Sequence, residues 1–378
     1  MRVCGTGTLF DVLGDAIAYR NLEPIDGRLP GLSSLRHSLG LQANRVPRKV
    51  EPAYGRVVAE ILRSAAAIEN GSPDLERVVL VGDTEQNDGG AFVNICAALR
   101  CPGDAFICTE KPAEPALVSS EQGAARRLYL ANRWRLIGGF EADLARRGVV
   151  IGRGTVVIVD IDKTLIGARG RNDRPIDMAR AAAILRTARI LRGDAVNRDM
   201  LLAAYKHFNQ PRFHAFTTDN QDYLAYLAIL VEAGWSSIEK IREGITRGHL
   251  SSFGDLLDAV TATVERLPNR LRRAHDDVVM AVTLGDPTPF KDFRRAEYRE
   301  TVDRMAPVRK AQDIARLLAT RITLNAEVWR RVRLWRDRGA LVFGLSDKPD
   351  EASFPSPDLE AEGYQPLHKT RSQVVGER

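Results

Sequence analysis

Two aspartates one residue apart, Asp160 and Asp162, close the apolar run Thr155-Val-Val-Ile-Val159, and Thr164 follows two positions later. The run reads as a buried parallel strand, and in open α/β sheets chemistry gathers where strands reach their carboxyl ends. Carboxylates this close repel each other unless a shared proton or a cation intervenes. A hard, oxygen-seeking ion such as Mg²⁺ is the simplest resident that makes both tolerable. A second run, Arg77-Val-Val-Leu-Val81, ends in Gly82-Asp83, with Asp88 five residues on. A third, Ala340-Leu-Val-Phe-Gly-Leu345, ends in Ser346-Asp347-Lys348. Singly, each of these residues has an ordinary reading as a turn former, an N-cap or a surface lysine. Their recurrence at three strand ends points to a site.

The elements that must position them alternate. A short strand near the start and a helix over Leu9 to Tyr19 precede a long connection. A helix from Tyr54 to Glu69 is stopped by Asn70-Gly71-Ser-Pro73, and one from Ala91 to Leu99 follows the second run. Asp104 to Cys108 is a strand candidate, and residues 121 to 147 read as a helix closed by Gly148. This order predicts an α/β fold with a doubly wound, Rossmann-like parallel sheet. From Gly167 to about Gly339 helical periodicity takes over, with no convincing strand. Helices are expected at Ala179–Leu191, Met200–Phe208, Tyr223–Ala233, Ile238–Arg247, Phe253–Leu267, Lys310–Leu318 and Ala326–Arg338. The chain thus divides into a core of residues 1–166 and 339–378 and a helical insertion of residues 167–338. The tail from Ser353, rich in proline and charge, reads as loosely ordered.

At 378 residues, 44% hydrophobic and 28% charged, the composition is that of an ordinary soluble chain with length for one large domain or two modest ones. The net charge of +6 comes mostly from arginine spread along the chain, which suits an anionic small molecule better than nucleic acid. Cys4, Cys96, Cys101 and Cys108 form no CxxC pair, as expected of reduced thiols in a cytoplasmic protein. The longest apolar stretch, Tyr223 to Val231, is too short to span a bilayer, so no membrane partner is expected.

Taken together, the strand-end residues resemble the haloacid dehalogenase superfamily of phosphohydrolases, which carries four short motifs. Asp160, Asp162 and Thr164 match its D-x-D-x-T motif, and Ser346 its Ser/Thr at a strand end. Lys49, ahead of a helix, is the best match to its lone lysine, with Lys348 as the alternative. Gly82, Asp83 and Asp88 match its strand-end GDxxxxD. The family's order is first, second, third, fourth; here it is third, fourth, first, second, an apparent circular permutation. That order is physically reasonable, because in a parallel sheet the motifs meet at one edge whatever the connectivity. The resemblance implies a haloacid-dehalogenase-type core with a cap domain at residues 167–338. It further implies Mg²⁺ held by Asp83, Asp88, Asp160 and the Asp162 carbonyl, and a nucleophilic Asp160 that forms an aspartyl-phosphate. Asp162 would be the acid and base, and Ser346 with a lysine would hold the phosphate. Four carboxylates converging with no metal would be electrostatically severe.

In the insertion, Lys206, His207, Arg212 and His214 flank Asn209-Gln-Pro211, and Lys291, Arg294 and Arg295 follow Gly285-Asp-Pro-Thr-Pro-Phe290. Arg212, His214, Lys291 and Arg294 are candidate contacts to an anionic substrate, each also readable as part of a solvated helix face. The expected activity is hydrolysis of a small phosphomonoester. The alternatives are a phosphatase acting on nucleotides or nucleic-acid ends, and a non-catalytic binding module of the same fold.

Overall fold

The computed structural model describes residues 1–123, 125–308 and 313–377. The chain forms two compact units, one comprising Met1–Asp177, Thr301–Phe354 and Leu359–Arg378, the other Met178–Glu300 and Pro355–Asp358. Residues 301–338, assigned to the helical insertion from sequence, thus fall with the first unit.

The first unit is built on a seven-stranded sheet. Its strands are β2 (Ile17–Ala18), β3 (Arg77–Gly82), β4 (Gly103–Cys108), β5 (Val118–Gln122), β6 (Arg126–Ala131), β7 (Thr155–Asp160) and β9 (Leu341–Leu345). The spatial order is β2-β9-β7-β3-β4-β6-β5. All neighbours run parallel except β5, which pairs antiparallel with β6. The sheet is therefore mixed at one edge and not wholly parallel. A smaller sheet, ordered β1-β10-β8, joins β1 (Arg2–Gly7), β8 (Leu324–Asn325) and β10 (Ser372–Gly376).

Strand periodicity splits the core between two faces. Val79, Val81, Phe106, Val157 and Val159 pack with Phe140, Leu144, Val328, Val332 and Trp335, which come from the helices Ile137–Arg146 and Ala326–Asp337. The alternate residues Val78, Leu80, Ile107, Val156 and Ile158 pack with Val57, Ile61, Leu62, Phe92 and Ile95, from the helices Pro52–Asn70 and Gly90–Leu99. Helices on both faces explain why these strands are continuous apolar runs. Each such side chain stabilises the fold by roughly 1.5–3 kcal/mol through burial.

Several expectations are corrected. The helix expected over 121 to 147 is instead β5, β6 and the shorter helix Ile137–Arg146. The stretch Leu9 to Tyr19 is a single turn of helix, Phe10–Leu13, followed by β2. The tail is ordered: β10 is buried along its length, inserted between β1 and β8, so a strand also exists in the stretch read as wholly helical. The helix expected from Lys310 begins at Ile314, and Lys310 lies outside the described residues.

The second unit is helical, with Arg198–Phe208, Gln221–Glu232, Ile238–Thr246, Phe253–Thr261 and Asn269–Thr283 complete within it. The helix Gln221–Glu232 is buried on every side from Leu224 to Val231, which accounts for the longest apolar stretch of the sequence. No helix among the described residues is long and apolar enough to cross a membrane.

Candidate active site

Parallel pairing places β9, β7 and β3 side by side, with Asp160 level with Leu345 and Val81 with Val159. Asp160, the last residue of β7, and Ser346 and Asp83, the first residues past β9 and β3, therefore emerge at one sheet edge within a single chain. Asp88 returns to that edge through one wide helical turn, Glu85–Gly89, in which the Gly89 N–H reaches back to the Thr84 carbonyl. Its carboxyl group folds over Gly82, where a Cβ would stand 2.6 Å from that of Asp88. Gly82 is thus required by close approach.

Asp83, Asp88 and Asp160 are all buried, and each offers an oxygen within 4.8 Å of the others. Lys49, buried three residues before the helix start at Pro52, inserts its ammonium among them. Nζ donates to Asp88 Oδ1 and to Asp160 Oδ1, both at 2.8 Å, and lies 3.6 Å from Asp347. Asp88 Oδ2 accepts from the Asp83 and Thr84 N–H groups and from the Thr84 hydroxyl, at 2.9, 3.0 and 3.1 Å. Both Asp88 oxygens are therefore occupied, and Asp88 acts chiefly as a tether. Asp160 Oδ2 is buried and accepts no hydrogen bond among the described residues, a position that suits a hard cation. Three acids with a buried, unused carboxylate oxygen among them could hold a metal ion.

The electrostatics follow from this crowding. Burial raises Asp160 well above the usual carboxylate range, Lys49 opposes the rise, and Asp88 and Asp83 add to it. Burial and the nearby Asp88 likewise push Asp83 up to about 7, against the pull of Arg169. For Asp88 burial is outweighed by Lys49 and by the Thr84 N–H, and the group stays below its ordinary value. Lys49 is penalised by burial, yet Asp160, Asp347 and Asp88 together hold it well above the usual lysine range.

The other predicted residues are placed as follows. Asp162 is half-buried and its carboxylate is not among the three that converge. It sits in a tight turn, with Lys163 in the left-handed region and the Leu165 and Ile166 N–H groups both on the Ile161 carbonyl. Thr164 is fully buried, its hydroxyl without a partner among the described residues and its carbonyl bonded by Asn325. Ser346 is buried, and its hydroxyl accepts the Lys348 N–H at 3.1 Å. Lys348 is buried in the same loop.

In the second unit, Arg212 is exposed and stacks on Phe213, His214 lies 3.7 Å from Asp219, and Lys291 pairs with Asp286. Arg294 is not an exposed contact. It is buried, bonded through Nε and Nη2 to Asp222 and through Nη1 to Glu297, as a core ion pair.

Two residues at the sheet edge escape sequence reasoning. Asp347 reaches Lys49 from the loop after β9. Arg169 Nε donates to Asp83 Oδ2, while the Thr109 hydroxyl holds the Asp83 carbonyl. The one sequence signal for Arg169 is the glycine pair around it, Gly167 and Gly170, both at positive φ. Among protein-family models, curated proteins and solved structures, none matches this chain.

Proposed function

We propose that the protein is a Mg²⁺-dependent phosphohydrolase of the haloacid dehalogenase type, with permuted motif order, acting on a small phosphomonoester. The observation that carries this reading is the ion-paired group of Lys49, Asp88 and Asp160 with Asp83 beside it. Residues from three of the family's four motifs, up to 111 positions apart, meet at one sheet edge. The helical insertion would be the counterpart of the family's cap domain.

Asp83 and Asp160, with Asp88 behind them, would hold the ion. When bound, Mg²⁺ supplies positive charge against the phosphoryl oxygens and keeps the neighbouring carboxyls ionised. Lys49 and the Ser346 hydroxyl bind phosphoryl oxygens by charge and hydrogen bond. Asp160 attacks phosphorus as the bond to the alcohol oxygen breaks, and Asp162 gives that oxygen its proton. Asp162 then takes a proton from water, whose oxygen attacks phosphorus, breaks the bond to Asp160 and leaves as inorganic phosphate.

The test is phosphate release from a generic aryl phosphate, with and without Mg²⁺, by the wild type and Asp160→Asn. Metal-dependent turnover that vanishes in the variant supports the reading. If neither protein turns over, calorimetric titration with Mg²⁺ decides, and absence of binding sinks the site. Mg²⁺ binding with no turnover in either protein would favour the non-catalytic module. Salt-dependent binding to a short single strand would favour a nucleic-acid substrate.

A further inference from the structure

Arg169 takes no part in the reaction above, yet it is bonded to the acidic group at its centre. Its backbone is fixed on both sides. The Arg169 N–H donates to the Lys163 carbonyl at 2.7 Å, and its own carbonyl accepts from the Glu110 N–H at 3.1 Å and from Trp134 Nε1 at 3.2 Å. Next to it, Gly170 packs so closely on Glu110 that a Cβ would lie 1.9 Å from the Glu110 carbonyl oxygen. The loop therefore delivers this side chain from a set position.

The way the guanidinium is used is the informative part. A guanidinium kept only to balance Asp83 would be expected to pair through two parallel N–H bonds. Arg169 instead engages Asp83 through Nε alone, and its two terminal nitrogens have no protein partner among the described residues. About a third of the side chain, 31%, remains exposed. The guanidinium carries five N–H donors in a rigid fork, and four of them are left without a hydrogen-bond partner among the described residues, with Asp173 and then Asp160 within electrostatic reach.

Resting on the proposed phosphohydrolase reading, we propose that Arg169 is a substrate-binding residue, anchored on Asp83 through Nε and presenting its terminal nitrogens to the phosphoryl oxygens. The ligand class this selects is a terminal phosphoryl group, whose several oxygens match the fork. Arg169 joins Lys49 and Ser346 in holding the phosphate, and it ties the phosphate to the carboxylate that would hold the ion.

Isothermal titration of the full chain tests this, first with MgCl₂ alone and then with inorganic phosphate at saturating Mg²⁺, on wild type, R169K and R169M. The lysine variant keeps the charge without the fork, and it serves should the methionine variant fail to fold. The expected result is phosphate binding at least about tenfold weaker in both variants, with the Mg²⁺ Kd changed by less than about threefold because Asp83 keeps its place. Unchanged phosphate affinity in the variants would overturn the inference while leaving the phosphohydrolase reading intact. Equal weakening of Mg²⁺ and phosphate would overturn it too, by making Arg169 a support for Asp83. A wild type that binds no Mg²⁺ would remove the underlying reading and this inference with it.

Discussion

Lys49 Nζ and Asp160 Oδ1 lie 2.8 Å apart across 111 positions of the chain, and the same ammonium stands 2.8 Å from Asp88. One buried cation therefore joins the entry to a helix, the end of β7 and the turn after β3. Lys49→Met should leave buried carboxylates uncompensated and cost about 3 kcal/mol of stability at neutral pH. The loss should shrink near pH 5, where the acids take up protons instead. Urea unfolding at both pH values checks this, and an equal loss at both would mean that packing, not charge, is what Lys49 supplies.

The acids also set a pH dependence. Folding raises Asp83 from its ordinary value of 3.8 to about 7, so the native state binds that proton more tightly than the unfolded chain. The resulting stability is complete below about pH 4 and is lost as pH rises through about 7. Asp160, raised as well, acts in the same direction. A divalent ion replaces those protons, so saturating Mg²⁺ should raise the Tm more at pH 8 than at pH 6 and should release protons on binding. Melting curves at the two pH values, with and without Mg²⁺, are the measurement. A stabilisation that does not vary with pH would exclude Asp83 from the ion site.

Asp162 stands outside the converging carboxylates, so its replacement should separate chemistry from metal binding. In Asp162→Asn, kcat should fall by about 10²- to 10⁴-fold, the usual worth of a positioned acid or base. The Mg²⁺ affinity measured by titration should stay near that of the wild type. A large loss of metal affinity would instead put the Asp162 side chain on the ion.

Gly82→Ala tests the close approach beneath Asp88. The added methyl would need the space 2.6 Å from the Asp88 Cβ, and the strain should cost about 1–3 kcal/mol. Because Asp88 is the tether for Lys49, Mg²⁺ affinity should drop with stability. A variant with wild-type Tm and wild-type Mg²⁺ binding would show that Asp88 relocates freely.

Much of the central sheet can be read from β3, β7 and β9, because strands covered on both faces must be apolar throughout and then stop abruptly. The acids at their ends are legible for the same reason. By contrast, β6 escapes, because Arg126 and Arg127 read as helix formers. In the fold Arg127 lies 3.8 Å from Asp143, and only Tyr129 and Ala131 of the strand are buried, the long stems leaving their charged heads at the surface. The burial of β10 is equally invisible locally, since its partners Arg2–Gly7 and Leu324–Asn325 are remote in sequence. Arg294 misleads for the converse reason: a cation beside loop residues looks exposed until Asp222, 72 positions away, is seen to pair with it. Arg169 carries no motif, and only the loop that folds it back onto Asp83 gives it meaning.

The antiparallel pairing of β1 with β10 sets Arg2 directly against Gly376, which places their Cα atoms about 5 Å apart. A linker of a few residues would therefore join them into a ring, and that ring could be reopened at the exposed Val150, between the helix Ile137–Arg146 and β7. The rewired gene would encode Asp160 first, then Ser346, then Lys49, then Asp83, in the motif order of the family it resembles, while every strand kept its neighbours. Such a protein should keep the Asp83, Asp88 and Asp160 cluster and its Lys49 partner as they stand here, since the sheet edge is indifferent to the order in which its strands are connected.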